Sequence, residues 1–146
     1  MLTWLCILTR NNFEIVKKKE VWGVSEPHKR EIFKTRPGEL CAFYLTAEGV
    51  GKNRKESAIG GIFEIYSKPY EDHSDIFQSK KTPNEKYPFR VKLKKINIFD
   101  PELPFRQMIP ELSFIKNKTK YSGHLLGRAM RVIPEEDMKK IQQTDL

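Results

Sequence analysis

Trp22 opens a short run of residues suited to holding a flat, polar ligand. Gly23 follows it, where the missing side chain lets a ligand approach the backbone, and His28, Lys29 and Arg30 add positive charge. A nucleic-acid base held out of its stack needs aromatic rings to stack on, fixed donors and acceptors along its edge, and cations for its flanking phosphates. Further aromatic residues that could contribute are Tyr87, Phe89 and Tyr121. Each could instead pack in a hydrophobic core.

Catalytic and metal-binding patterns are missing from the sequence. It contains no H-E-x-x-H, no G-x-S-x-G and no closely spaced cysteine pair. The three histidines, His28, His73 and His124, are widely separated, and no cluster supplies the ligand number and geometry that a metal needs. We therefore predict a binding module with no catalytic residue, metal or cofactor.

Length and composition predict one globular domain over residues 1–146. A chain of 146 residues, 38% of them hydrophobic, can bury a core without disulfides or a metal. It has no apolar run long enough to span a membrane, and residues 1–8 lack the features of a signal peptide. Cys6 and Cys41 lie in predicted strands, where a lone cysteine usually acts as a small hydrophobic residue. These features indicate a cytoplasmic protein.

The charge balance is strongly basic. The chain has 27 lysines and arginines against 19 acidic residues, a formal net charge of +8 and a pI near 9.5. Cations that neutralise phosphates release counterions, which supplies affinity for nucleic acid regardless of sequence. A Lys/Glu-rich thermophile surface is the alternative, but such surfaces tend to balance the two signs. The excess of basic over acidic residues therefore favours a nucleic-acid partner.

Apolar patterning predicts the elements that position these residues. Strands are predicted at residues 3–9, 41–45, 58–67, 125–133 and from residue 89 onward. Helices are predicted after an Asn11 cap, over residues 28–35, and after Pro134, with a type II turn at Pro37-Gly38. The polar, proline-bearing stretch at residues 69–87 is predicted to be a long connection, and such connections are often functional.

The strand from residue 89 alternates apolar and basic side chains. The basic ones would form a row on one face, namely Arg90, Lys92 and Lys94. Ile96 and Ile98 then shift the pattern by one residue, which predicts a bulge near Lys95. Such bulges help a sheet curl toward a barrel.

The order of several motifs resembles a known family. These motifs are the Trp22-Gly23-Val24 run with the basic cluster after it, the Pro37-Gly38-Glu39 turn, and the segments at residues 59–65, 69–72, 112–115 and 129–137. Together they resemble the EVE domain, a PUA-like relative of the YTH readers of methylated bases. The resemblance implies an α+β fold, a PUA-like curled mixed β-barrel with peripheral short helices. It also implies a module that binds RNA or DNA and takes a flipped modified base, modified cytosine or methyladenine, into an aromatic pocket with a basic rim.

The resemblance and the residue patterns above together assign roles to individual residues. The base pocket would be lined by Thr9, Asn11, Trp22, Gly23, Val24, Tyr87 and Phe89, with backbone groups of Gly23 and Val24 reading the base edge. Phosphates would be bound by His28, Lys29, Arg30, Arg90, Lys92, Arg128 and Arg131. The chain has no obvious second and third cage tryptophan, so Phe77, Tyr87 or Phe89 would have to serve in their place.

Two alternatives stay open at the level of sequence. One is an RNA-binding PUA-like module that is indifferent to base modification. The other is an enzyme, because the similar ASCH domains include small hydrolases that act on modified nucleosides with a Thr/Lys/Glu set. Thr9, Lys29 and Glu64 could fill those roles, although nothing in their spacing requires it.

Overall fold

The computed structural model describes residues 1–79, 81–125 and 127–144. Its strands are β1 (Thr3–Leu8), β2 (Val21–Val24), β3 (Leu40–Leu45), β4 (Ala58–Ile65), β5 (Tyr70–Glu71), β6 (Phe89–Pro104) and β7 (Met130–Ile133). Its α-helices are α1 (Arg10–Lys19), α2 (Lys29–Ile32), α3 (Phe105–Met108) and α4 (Glu135–Gln143). Short 3-10 turns lie at Glu26–His28, Gly51–Asn53, Ile109–Glu111 and Tyr121–His124.

The strands form one curled, mixed sheet in the order β2-β6-β4-β3-β1-β7, with β5 added beside β6. Only β1 and β3 run parallel among the described strand pairs. The long strand β6 joins β2 to β4 and so carries the sheet around the bend of a half-barrel. This architecture confirms the predicted fold class.

The bend of β6 occurs where the sequence pattern shifts. Ile62 pairs with Asn97, but the next residue of β4, Phe63, pairs with Lys95, so Ile96 has no partner across the ladder. An unpaired residue of this kind bends its strand and increases the local twist. The predicted bulge near Lys95 is therefore confirmed.

Alternating side chains of the central strands supply two apolar clusters on opposite faces of the sheet. The first contains Trp4, Cys6 and Phe43, and the second contains Leu5 and Tyr44. Helix α1 covers the first cluster, and helices α3 and α4 cover the second. Both cysteines are buried, as small hydrophobic residues would be.

Helix α1 begins two residues earlier than predicted. Thr9, not Asn11, is its cap, and the Thr9 hydroxyl oxygen accepts a hydrogen bond from the Asn12 backbone N–H at 3.3 Å. Phe13 then packs over Gly60 so closely that a Cβ atom on Gly60 would lie 2.5 Å from the Phe13 ring. The missing side chain of Gly60 therefore lets helix α1 lie directly against the sheet.

Other predicted boundaries are corrected by the structure. The predicted helix over residues 28–35 is shorter, a 3-10 turn followed by the four residues of α2. The predicted strand over 125–133 is confined to β7, because Gly127 has a left-handed backbone (φ +73°) that a strand cannot continue through. Leu126, inside that prediction, lies outside the described residues. The turn is confirmed, with Gly38 at φ +99°.

The final helix docks as its pattern predicts, with Met138 and Ile141 of α4 buried in the second cluster. Within the described residues, no helix combines the length and apolar character that crossing a bilayer requires.

Candidate functional site

A cavity of about 620 Å³ lies where the end of β1, the start of α1 and strand β2 meet the long connection before β6. It reaches the surface, since Thr9, Asn11 and Arg128 on its border are exposed. Half of the predicted site residues border it, namely Thr9, Asn11, Trp22, Gly23, His28, Tyr87 and Arg128. Residues brought together from four separate parts of the chain thus share one cavity.

The start of α1 contributes polar groups to the cavity. Thr9 caps the helix through its hydroxyl oxygen, which leaves the hydroxyl proton available for donation. Asn11 on the first turn is exposed and borders the same space. Backbone N–H groups at a helix start lack intrahelical partners and favour negative charge. This corner can therefore donate hydrogen bonds to a ligand.

Trp22 borders the cavity but presents little of its ring to it. Its side chain is only 4% exposed and packs edge-to-face against Phe43, with ring centroids 5.6 Å apart. The indole N–H is buried and has no hydrogen-bond partner among the described residues. Trp22 is therefore a core side chain that borders the cavity, and the prediction of an open ring for stacking is corrected.

The connection between β5 and β6 forms a second wall of the cavity. We call residues 72–87 the wall segment. Its residues that border the cavity are Phe77, Gln78, Ser79, Lys81, Thr82 and Tyr87. The Phe77 and Tyr87 rings meet edge-to-face at 6.0 Å. Of the replacements considered for the missing cage tryptophans, these two border the cavity and Phe89 does not.

Two predicted pocket residues do not reach the cavity. Phe89 is buried in the first cluster, edge-to-face with Phe33 and under the Lys29 ammonium, whose nitrogen lies 4.8 Å from the Phe89 ring centre. Val24 is buried in the same cluster. The Phe89 side chain turns into the core, which corrects its predicted pocket role, and Val24, whose backbone is predicted to read the base edge, is not among the residues that border the cavity.

The predicted phosphate-binding residues do not share one face. His28 and Arg128 border the cavity, and Lys81, which the sequence did not single out, joins them. Lys29 and Arg30 are exposed on α2 and Lys92 is exposed on β6, all away from the cavity lining. The basic rim is therefore smaller than predicted.

Arg131 lies on the opposite face of the sheet. Its guanidinium carbon sits 4.7 Å from the ring centre of Phe114, a member of the second cluster. Burial lowers the pKa of Arg131, and the nearby Arg128 charge adds to that effect. Because alternate residues of β7 face opposite sides, its predicted place at the rim is wrong.

Arg90 departs furthest from its predicted role in binding phosphate. Its side chain is 1% exposed, and its guanidinium donates to the carbonyl oxygens of Ser74, Lys86 and Tyr87 rather than pointing to solvent. Burial lowers the pKa of Arg90, while the Asp72 carboxylate opposes that effect. The outward face of β6 is covered here by the wall segment, so the predicted basic row begins only at Lys92.

Sequence reasoning missed the residues that hold the walls in place. Asn12 forms two hydrogen bonds with the backbone of Gln78. Arg10 donates to the carbonyl oxygens of Thr46 and Glu56, and Thr46 borders the cavity. The prediction that the connection at residues 69–87 is functional points toward the contact between Asn12 and Gln78.

The residue set considered for a hydrolase is not assembled. Thr9 borders the cavity, but neither Lys29 nor Glu64 does. Across residues 1–79, 81–125 and 127–144, no three His, Cys, Asp or Glu side chains are grouped so that they could hold a metal ion.

A curled mixed half-barrel with short peripheral helices is the fold of PUA-like proteins. The chain belongs to the EVE family, whose family model, the EVE domain, matches residues 3–144. A UPF0310 protein of Pyrococcus abyssi is 49% identical over 142 residues, covering 97% of this chain and 98% of the relative. The resemblance found in the sequence is thereby confirmed.

Two solved structures show the same fold at low sequence identity. The human THYN1 protein in complex with 5-methylcytosine containing DNA is 13% identical with a TM-score of 0.61, and the match covers 100% of both chains. The YTH domain of the Zygosaccharomyces rouxii MRB1 protein in complex with N6-methyladenosine RNA is 17% identical with a TM-score of 0.60, covering 97% of this chain and 85% of that one. These matches support the PUA-like fold.

Proposed function

We propose that this protein binds nucleic acid and holds one modified base, turned out of its stack, in the cavity between α1, β2 and the wall segment. The observation that carries the proposal is the cavity itself, where Thr9, Trp22, Gly23 and Tyr87 meet the His28 imidazole and the Arg128 guanidinium. Its volume of about 620 Å³ falls within the range of about 300 to 1,000 Å³ that is usual for small-ligand sites.

The polar groups at the cavity suit the edge of a base. The Thr9 hydroxyl and the Asn11 amide supply donors and acceptors from α1, and the backbone of Gly23 borders the cavity. The half-buried Tyr87 ring supplies apolar contact from the wall segment, and the buried Phe77 ring packs edge-to-face against it. A base that enters the cavity is read along its edge and packed at its faces, as flipped bases are in other proteins.

The cations at the border suit the phosphates on either side of that base. Arg128 and Lys81 are exposed and border the cavity with His28. The net charge of +8 adds long-range attraction to any polyanion. Phosphate contacts then supply most of the affinity, and the cavity supplies the preference among bases.

Proteins of the same fold support the choice of a methylated base. The human protein was solved with 5-methylcytosine containing DNA and the yeast YTH domain with N6-methyladenosine RNA. Modified cytosine is our first proposal for the ligand of this chain, and methyladenine is the second.

Titration of matched oligonucleotides tests the proposal. One sequence is made as DNA and as RNA, with cytosine or 5-methylcytosine, and with adenine or N6-methyladenine, at the same position. We expect one modified form to bind about 10 to 200-fold more tightly than its parent, the range that one methyl-sized group produces in an apolar pocket. Equal affinity across the set would instead indicate a module indifferent to modification.

A further inference from the structure

The wall segment borders the cavity but has little structure of its own. Apart from Lys80, which lies outside the described residues, residues 72–87 contain no helix and no strand. Six of these residues border the cavity. Their positions therefore depend on contacts made with other parts of the chain, and two side chains make most of those contacts.

Arg90 holds the two ends of the wall segment together. At one end, its two terminal nitrogens donate to the Ser74 hydroxyl at 2.7 Å and the Ser74 carbonyl at 2.6 Å. At the other end, it donates to the carbonyl oxygens of Lys86 at 2.9 Å and Tyr87 at 3.0 Å. Its guanidinium carbon also lies 5.4 Å from the ring centre of Phe77. A planar, forked group can satisfy so many acceptors at once, whereas an ammonium cannot.

Asn12 holds the middle of the wall segment against α1. Its side-chain amide donates to the Gln78 carbonyl oxygen at 2.7 Å, and its side-chain oxygen accepts from the Gln78 backbone N–H at 2.9 Å. This pair imitates a step of a β-ladder, and Asn12 is buried. Helix α1 and the wall segment, which both border the cavity, are thereby held to each other.

We infer that Arg90 and Asn12 are positioning residues, which hold the wall segment in place so that the cavity can discriminate between bases. This inference rests on the proposed function, because that function supplies the ligand, but the contacts of Arg90 and Asn12 do not depend on it. The Arg90 donors are directed to acceptors inside the protein, so this cation does not bind phosphate. Loss of either anchor should therefore reduce base discrimination without changing the salt dependence of binding.

The test uses Arg90→Lys and Asn12→Ser in the full chain, with titrations of the matched oligonucleotides at several salt concentrations. We expect each variant to lose about tenfold or more of its preference for the modified base, because several buried hydrogen bonds are broken. The slope of log affinity against log salt should stay at the wild-type value. Hydrogen exchange of the Gln78 amide should become about tenfold faster or more.

Arg106→Lys is the matched control, because Arg106 is exposed on α3, the helix that covers the other face of the sheet. It should leave all three measurements unchanged. Asn12→Ser keeps the test decisive if Arg90→Lys does not fold. The inference would be overturned if the variants bind the modified and unmodified oligonucleotides with equally reduced affinity, show a shallower slope of log affinity against log salt, and leave hydrogen exchange of the Gln78 amide unchanged. If the wild type shows no preference, the proposed function fails, and Gln78 exchange alone then decides whether the anchors hold the wall segment.

Discussion

Gly23 and Tyr87 touch through their backbones, since a Cβ atom on Gly23 would lie 2.5 Å from the Tyr87 carbonyl oxygen. Arg90 also holds that oxygen in place, because it donates a hydrogen bond to it at 3.0 Å. Tyr87 itself has a left-handed backbone (φ 50°), an uncommon conformation for a residue with a side chain. Strand β2 and the wall segment therefore meet without room for even one additional carbon atom.

Gly23→Ala should displace the Tyr87 end of the wall segment. The added methyl group would lie 2.5 Å from the Tyr87 carbonyl oxygen and 3.0 Å from the Arg90 side chain, so the two partners of this hydrogen bond must shift, and we expect the free energy of unfolding to fall by about 1 to 3 kcal/mol. Binding of the modified oligonucleotide should weaken in parallel. Thermal melting and titration measure the two effects.

Gly123→Ala is the control for that substitution, because a Cβ atom on Gly123 has nothing within 4 Å. Its melting temperature should be unchanged or slightly higher, since alanine restricts the unfolded chain. A Gly23→Ala protein that melts and binds like the wild type would contradict the close contact between β2 and the wall segment.

Trp22→Ala should destabilise the whole protein. With 4% exposure and an edge-to-face contact with Phe43, Trp22 behaves as a core residue, and truncating such a residue costs about 3 to 5 kcal/mol. Tyr66→Ala, which removes an exposed ring, should change the unfolding free energy by about 0.5 kcal/mol or less. If Trp22→Ala melts near the wild-type temperature and loses only its affinity for the modified oligonucleotide, Trp22 stacks on the base after all.

Arg128 and Arg131 offer a matched pair for testing the basic rim. Arg128→Gln should lower the slope of log affinity against log salt by about 0.9 on duplex DNA, as expected for one lost phosphate contact. Arg131→Gln should leave the slope unchanged, because its guanidinium packs over Phe114 on the other face. Equal changes in both variants would show that general charge, and not position at the cavity, determines the salt dependence.

Arg10→Gln should destabilise the loop that supplies the Thr46 and Glu48 side of the cavity. The wild-type guanidinium donates to the Thr46 carbonyl at 3.0 Å and the Glu56 carbonyl at 2.7 Å, and it also pairs with Glu102. Losing these bonds should lower the free energy of unfolding by about 2 to 3 kcal/mol, measured by denaturant titration.

The control for that variant is Arg54→Gln, which breaks an exposed ion pair with Glu56. Exposed pairs contribute about 0 to 1 kcal/mol, so its unfolding curve should nearly match that of the wild type. Similar losses of stability in the two variants would mean that the hydrogen bonds from Arg10 to the Thr46 and Glu56 carbonyls add nothing beyond a surface charge pair.

The sequence by itself determined the elements whose signals are local. Apolar runs identified β1, β3 and β4 to within two residues, and the shifted alternation located the bulge in β6. The proline-glycine pair identified the turn at residues 36–39, where the Glu39 N–H donates to the Arg36 carbonyl at 3.2 Å. Each of these features depends on residues that are neighbours along the chain, so a single sequence is enough to reveal them.

Only the tertiary structure decided which side chains reach the cavity. Arg90 and Lys92 share one face of β6, yet the wall segment covers Arg90 and leaves Lys92 exposed. Arg128 and Arg131 are three residues apart, yet one precedes β7 at the cavity and the other lies within β7 on the opposite face. Burial and direction of a side chain depend on segments that fold over it from distant parts of the chain, and alternation within one strand carries no information about them.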